Sequence, residues 1–197
     1  MRIKMKKAGI FGGTFDPVHL GHLITARSVL EQRQLDKIIF MPCYVSPHKT
    51  DKTSSSPLHR LNMVKLAIEN YEGFALSDYE IKKEGVSYTI DTIIELKKSF
   101  DEIELIIGYD SLVNFETWKE PDKLVELAKL IVMKRNNSDA RTKEKTSRFF
   151  NRAIFVDTPV IDISSTLIRE RIKNNLPADF LVPEKVLKYI NENNLYK

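Results

Sequence analysis

The chain has 197 residues, 29% charged and 42% hydrophobic, a balance that suits one well-packed α/β core and excludes a disordered or fibrous chain. No apolar run approaches the roughly 20 residues of a membrane span, and the basic residues 1–7 lead into no long apolar stretch with a cleavage site, so they do not read as a signal peptide. The net charge of +4 sits on scattered lysines with no basic helix or aromatic-rich strand, which argues against nucleic acid and suits phosphorylated ligands, while the single Cys43 allows no internal disulfide and fits a reducing, cytoplasmic setting.

In chain order, the pattern predicts a strand over 5–11, ending in Ala8, Ile10 and Phe11, and a helix over 21–34 with Leu23, Ala26 and Leu30 at helical spacing. Between them runs Gly12-Gly13-Thr14-Phe15-Asp16-Pro17-Val18-His19-Leu20-Gly21-His22, a glycine-rich turn entering a helix. Glycine serves where the backbone needs positive φ or must approach a ligand closely. His19 and His22 are three apart and share a face at the helix entrance, where free N–H groups and the dipole favour an anion. Two imidazoles there suit a phosphate that gains charge during reaction. Plain readings stand beside this one, a Gly-Gly turn and structural histidines. Zinc is poorly served by the pair without a third ligand, and the spacing is neither a Walker loop nor G-x-G-x-x-G.

A second strand is predicted over 37–42, apolar on both faces as parallel strands are, so that strand, helix and strand imply a right-handed crossover. The polar loop 43–57 is too long for a mere connection and sets His48 beside Lys49. There follow a helix over 58–70, a strand over 74–77 and a loop with Gly85. Ser87-Tyr88-Thr89-Ile90-Asp91-Thr92 then leads into a helix through Leu96 that Ser87 or Thr89 can cap. A central strand over 104–108 is followed by a short helix over 112–118 and another, introduced by Pro121, around 124–128. The strand 130–133 closes on Lys134-Arg135, and the polar segment 136–148 reads as a mobile surface stretch. A last strand covers 153–156. A helix opens at Ile163-Ser164-Ser165-Thr166 with a hydroxyl cap, and Pro183 begins a final helix with Val186, Leu187 and Ile190 on one face.

This alternation predicts a doubly wound parallel sheet, in a single domain over 1–197 with a small C-terminal helical part about 160–197. Ligands of such sheets bind beyond the C-terminal strand ends at the switch point, and nearly every polar cluster here follows a strand. The Gly12–His22 turn can hold an α-phosphate. Asp110, after Gly108, can accept from a ribose hydroxyl pair or simply cap a helix. Ser164, Ser165, Thr166 and Arg169 offer hydroxyls, helix N–H groups and a guanidinium to β- and γ-phosphates, or form a plain capped helix. Tyr88, Thr89 and Trp118 offer surface to a planar ring, or belong to the core.

The eleven positions from Gly12 to His22 resemble the GG(S/T)FDPxHxGH signature of the nucleotidyltransferase superfamily, and most closely nicotinate-nucleotide adenylyltransferases. Ser46-Pro47-His48-Lys49, Ser87 to Thr92, Gly108-x-Asp110, Trp118 and Ile163-Ser164-Ser165-Thr166-x-x-Arg169 are similar to that family's motifs, in its order and along essentially the whole chain. The resemblance implies a Rossmann-like nucleotidyltransferase fold and transfer of AMP from ATP to nicotinate mononucleotide, giving deamido-NAD and pyrophosphate. It implies His19, His22 and Arg169 as catalytic groups. Around ATP it places Gly12, Gly13, Thr14, Phe15, His19, His22, Gly108, Asp110, Ser164, Ser165, Thr166 and Arg169. Around nicotinate mononucleotide it places Asp16, His48, Lys49, Tyr88, Thr89, Trp118 and Arg135. Mg²⁺ is the implied cofactor, entering with ATP, bridging phosphate oxygens and keeping its waters, with no metal ligands from the protein. The implied partners are these small molecules, with no nucleic acid and no membrane, and a homodimer stays open. The alternatives are another phosphorylated acceptor (nicotinamide mononucleotide, phosphopantetheine or flavin mononucleotide) or a non-catalytic nucleotide sensor. Both histidines and Arg169 speak against the sensor, which could do without groups that act in a transition state.

Overall fold

Apolar runs without alternation make strands that are buried on both faces, and six of them frame the molecule: β1 (Lys7–Gly13), β2 (Lys37–Pro42), β3 (Phe74–Leu76), β4 (Glu102–Gly108), β5 (Lys129–Lys134) and β6 (Ala153–Asp157). The structure, a computed structural model, describes residues 5–47, 55–134 and 147–197. Every strand pair is parallel and the order is β3-β2-β1-β4-β5-β6, the doubly wound sheet that the sequence pattern predicts. The chain winds outward from β1 to β3, then returns to β4 on the other side of β1. The switch point therefore lies at the C-terminal ends of β1 and β4. A Cβ on Gly9, mid-way along β1, would come within 2.7 Å of Ile106 Cδ1 and 2.8 Å of Leu35 Cδ1, so any larger residue there would require those side chains to shift.

Helices α1 (Leu20–Gln32), α2 (Pro57–Ile68), α3 (Tyr79–Lys83), α4 (Thr89–Leu96), α5 (Tyr109–Val113), α6 (Pro121–Leu127), α7 (Ser165–Lys173) and α8 (Glu184–Glu192) complete the chain. Two apolar layers hold them. Ala26, Val29, Met63, Val64, Ile168, Val186 and Ile190 join α1, α2, α7 and α8 in one. Ile90, Ile93, Leu112, Phe115 and Leu124 join α4 to α6 in the other, against Ile10, Leu105 and Ile107. The C-terminal helices thus share the core of α1 and α2. Within β4, Glu104 is 1% exposed and takes both Arg33 Nε (2.9 Å) and Nη2 (2.8 Å), an ion pair that ties α1's C-terminal end to the sheet. Among the described residues no helix is long and apolar enough to cross a membrane.

Three local expectations need correction. The predicted helix over 112–118 is two pieces: α5 starts at Tyr109, directly after β4, and a 3₁₀ turn follows at Phe115–Thr117. Asn114 separates them, its Nδ2 donating to Asp110 O at 2.9 Å. Neither Ser87 nor Thr89 caps α4. Its N-cap is Tyr88 without a side-chain bond, because the Ser87 hydroxyl accepts the Tyr44 N–H at 2.9 Å instead. Helix α3 was not foreseen; its five residues bury only Glu80 and carry no apolar stripe to signal it. Of the segment 136–148, most lies outside the described residues. Its last residue, Arg148, is anchored to Glu116 (2.8 Å) and Asp122 (2.7 Å).

Candidate active site

At the switch point β1 ends in Gly12 and Gly13 and the chain turns through Thr14 to Pro17 into α1. The Asp16–Pro17 peptide is cis and Phe15 has φ 51°. A Cβ on Gly12 would meet nothing within 4 Å, so the bare backbone there faces open space. Phe15 is 3% exposed and lies edge-on to Phe11 (5.8 Å) and His22 (5.1 Å). Its ring is the foundation of the turn. The ATP contact expected of Phe15 can therefore come only from its backbone.

His19 is the N-cap of α1, extended at φ −142° and ψ 169° and 6% exposed. Its ring stacks on that of His22 with centroids 3.6 Å apart and planes 28° from parallel. The His19 N–H donates to His22 Nδ1 at 3.2 Å. With Nδ1 acting as acceptor, the neutral ring carries its proton on Nε2, so a donor of fixed identity is set at the helix entrance. Gly21 has its own reason. A Cβ there would stand 3.0 Å from His19 Nδ1 and 3.1 Å from Cε1, so the stacked His19 ring would have to give by a few tenths of an ångström. One first-turn donor expected to await an anion is already used, since the Leu20 N–H bonds Leu181 O at 2.9 Å.

Helix α7 reaches the same turn, its first turn capped by the Ser164 hydroxyl, which accepts the Leu167 N–H at 3.1 Å. Ser165 Oγ donates to Pro17 O (2.8 Å), and Arg169 donates through Nη1 to Asp16 O (2.8 Å) and through Nη2 to Thr166 Oγ1 (3.3 Å). The structure thus brings together two clusters about 150 residues apart in sequence. Asp16 does not line the acceptor site expected of it. Its carboxylate is 4% exposed and accepts the Tyr196 hydroxyl (2.6 Å) and the Ser55 N–H (3.1 Å), so it braces the turn from below. Arg60, 1% exposed, is a second brace. It donates to Ser55 O (3.1 Å), Thr14 O (2.9 Å), Cys43 O (2.7 Å) and Tyr44 O (2.9 Å), pinning the turn to the chain that leaves β2.

A cavity of about 320 Å³ opens at the ends of β1 and β4, large enough for part of a nucleotide. Gly12, Gly13 and Thr14 form one wall, Gly108 and Ser111 the next, and Tyr88, Thr89, Trp118 and Lys119 the far end. Trp118 rests on Phe115, centroids 5.1 Å apart. The chain after β2 closes another side: Val45 and Val86 form a parallel bridge, and the Ser87 N–H bonds Val45 O at 2.9 Å. Glu80 also lines the cavity. It accepts the Thr92 hydroxyl at 2.6 Å, and burial pushes its carboxyl above the usual range. His19, His22, Ser164, Ser165, Thr166 and Arg169 lie outside this lining, around the turn where α1 and α7 begin. Asp110 is exposed in the first turn of α5, next to Gly108 and Ser111. His48, Lys49 and Arg135 lie outside the described residues. Among the described residues no cluster of three or more His, Cys, Asp or Glu side chains could hold a metal ion.

Comparison with known proteins shows the family and the fold. The family model of cytidylyltransferase-like proteins matches residues 10–171. A protein of Clostridium botulinum described as a probable nicotinate-nucleotide adenylyltransferase is 44% identical over 198 residues, covering 98% of this chain and 99% of its own. The nicotinate-nucleotide adenylyltransferase of Bacillus subtilis is 43% identical over 195 residues, covering 98% of this chain and 100% of its own. The chain belongs to the nicotinate-nucleotide adenylyltransferase family. A nicotinic acid mononucleotide adenylyltransferase from Plasmodium falciparum, solved with NaAD, has the same fold at 23% identity, with a TM-score of 0.77 and 97% of each chain covered.

In this family member two braces carried no motif. Arg60 did leave a signal: it falls on the stripe 60, 63, 64, 67 and 68 that α2 buries, so periodicity alone points it inward. Tyr196 left none, since a lone tyrosine after the last helix reads as an ordinary surface residue.

Proposed function

We propose that this chain transfers the adenylyl group of ATP to nicotinate mononucleotide, releasing pyrophosphate and deamido-NAD, as one domain working in the cytoplasm. The observation that carries the reading is the junction at β1: a cavity walled by Gly12–Thr14 on one side and Tyr88, Thr89 and Trp118 on the other, beside a histidine pair with a defined donor. Its support from relatives is the activity for which the Bacillus subtilis protein is named.

A phosphate oxygen of the mononucleotide attacks the α-phosphorus in line. The new P–O bond forms as the bond to the pyrophosphate oxygen breaks. With a second pKa of about 6, the attacking monoester is already ionised at neutral pH and needs no general base. Catalysis is then positioning and charge stabilisation. His22 Nε2–H donates to the α-phosphate as charge gathers there, and His19 fixes the ring by stacking and by its backbone N–H. Arg169 and the hydroxyls of Ser165 and Thr166 meet the leaving pyrophosphate. Gly12 and Gly13 let the phosphate approach bare backbone, Gly108 and Asp110 receive the adenosine ribose, and Trp118 faces the pyridine ring with Tyr88 and Thr89 at its edge. Mg²⁺ supplies charge neutralisation on the ATP phosphates when bound.

The test is pyrophosphate release with ATP and Mg²⁺, offering nicotinate mononucleotide and nicotinamide mononucleotide in parallel. A large preference for the acid is expected. Equal use would retain adenylyl transfer and overturn the acceptor assignment, and release with neither would overturn the function.

A further inference from the structure

Resting on the acceptor assignment above, we propose that the Lys119 side chain is a specificity determinant, favouring a pyridine ring that carries a carboxylate over one that carries a carboxamide. Among the described residues that line the cavity, Lys119 is the one cationic side chain. It directly follows Trp118, the residue assigned above to the pyridine ring. Its Nζ lies 4.6 Å from the centroid of the Tyr88 ring, and Tyr88 is the N-cap residue of α4. The ammonium therefore packs on the side chain of the residue that opens α4, directly before Thr89.

Its counter-charge is shared. Asp91 Oδ1 is 3.7 Å from Lys119 Nζ, but the other oxygen of Asp91 is held by Lys83. Two ammoniums facing one carboxylate leave a positive charge in excess at this end of the cavity. Glu80, the one carboxyl among the described lining residues, is buried and already accepts the Thr92 hydroxyl at 2.6 Å. Backbone N–H groups at a helix start bond the oxygen of an amide as well as that of an acid. A full charge separates the two, because the carboxamide brings no charge for it to meet.

The plain alternative is that Lys119 is a surface partner of Asp91, half-exposed like many such lysines and of little consequence. Lys119→Met, which keeps most of the stem over Tyr88, and Lys119→Arg, which keeps the charge, distinguish the two. The measurement is kcat/KM for nicotinate and nicotinamide mononucleotide with wild type and each variant, at fixed ATP and Mg²⁺. Lys119→Met is expected to narrow the acid-to-amide ratio about tenfold, equivalent to about 1.4 kcal/mol, with most of the loss on the acid and in KM. Lys119→Arg is expected to hold the ratio within about twofold of wild type. A ratio unchanged in Lys119→Met, whether both substrates fall together or neither does, overturns the proposal. If wild-type enzyme itself fails to prefer the acid, the acceptor assignment falls first and this inference with it.

Discussion

Replacing His22 separates what this residue does for the fold from what it does for the reaction. Among the connections of the ring, Nδ1 accepts the His19 N–H at 3.2 Å, the ring stacks on His19 at 3.6 Å between centroids, and Phe11 and Phe15 lie edge-on to it. Nε2–H is the atom assigned to the α-phosphate. Asparagine places an oxygen near the position of Nδ1 and nothing at Nε2, so His22→Asn keeps the acceptor for His19 and deletes the donor to substrate. Losing a donor aimed at developing charge costs about 10²–10³ in kcat, or about 2.7–4 kcal/mol. Because that bond strengthens only in the transition state, KM for both substrates should move little. Glutamine reaches nearer to Nε2 with an N–H, so His22→Gln should recover part of the rate while leaving the His19 N–H without its partner. The assay is steady-state pyrophosphate release, paired with thermal melts. His22→Asn should melt within a few degrees of wild type, since about 1 kcal/mol shifts a chain of this size by roughly 2–4 °C. Near-normal kcat in a well-folded His22→Asn would refute the reasoning, because the geometry offers no substitute donor of the same kind at that atom.

Other outcomes follow from the same contacts. Gly21→Ala should strengthen α1 by up to about 1 kcal/mol in helix propensity, yet lower kcat about tenfold or more by displacing the stacked histidines; a faster or unchanged enzyme would show that the 3.0 Å clearance to His19 is idle. Arg33→Met strands the Glu104 carboxylate within the sheet and should cost about 3–5 kcal/mol, read as a melting temperature lower by roughly 10 °C with kcat unchanged below the transition. The Tyr196 phenol is raised well above its usual range, by burial first and then by the nearby Asp16 carboxylate. Its folded pKa exceeds the unfolded value of about 10, so its contribution to stability is complete below pH 10 and is lost as pH climbs above that value. Urea titrations between pH 8 and 11 should show that alkaline loss in wild type and a shallower one in Tyr196→Phe; parallel curves would count against the Tyr196–Asp16 bond. Asp91 and Glu102 are held below the ordinary carboxylate range, chiefly by hydrogen bonds from Lys83 and Lys129. Their stabilisation is present above about pH 4 and should fade as the pH falls below that, so Asp91→Asn should flatten the acid limb of a melting-temperature profile.

How much of this could be read in the sequence depends on the range over which each feature is encoded. The sheet was legible because each strand is a local apolar run and the helices between them carry their own period. The predicted 37–42 strand and the observed Lys37–Pro42 coincide for that reason. The turn from Gly12 to His22 was legible because its chemistry is written in consecutive residues. Phe15 and Asp16 show where that stops. Both stand inside the motif, and motif membership suggested ligand contacts. Yet the aromatic ring serves Phe11 and His22, and the carboxylate serves Ser55 and Tyr196. A signature records which residues a site requires without separating those that touch ligand from those that hold the touching residues in place.

The braces also explain why a glycine-rich turn can catalyse by positioning at all. Asp16 offers one carboxylate oxygen to Tyr196, 180 residues away, the other to Ser55, 39 residues away, and its carbonyl to Arg169, 153 residues away. Arg60 adds a hydrogen bond to Thr14, 46 residues off, and others to Cys43 and Tyr44. A turn with two glycines and one residue at positive φ would wander if left to local preference. Tied at Thr14, Asp16 and Pro17 to three other parts of the chain, it cannot shift without breaking several part-buried hydrogen bonds at once, one of them to the buried Arg60. The same ties fasten α7 to the turn, so the groups assigned to the α-phosphate and to the leaving pyrophosphate are held at a set separation. For a reaction that needs no general base, that separation is most of what the protein has to provide.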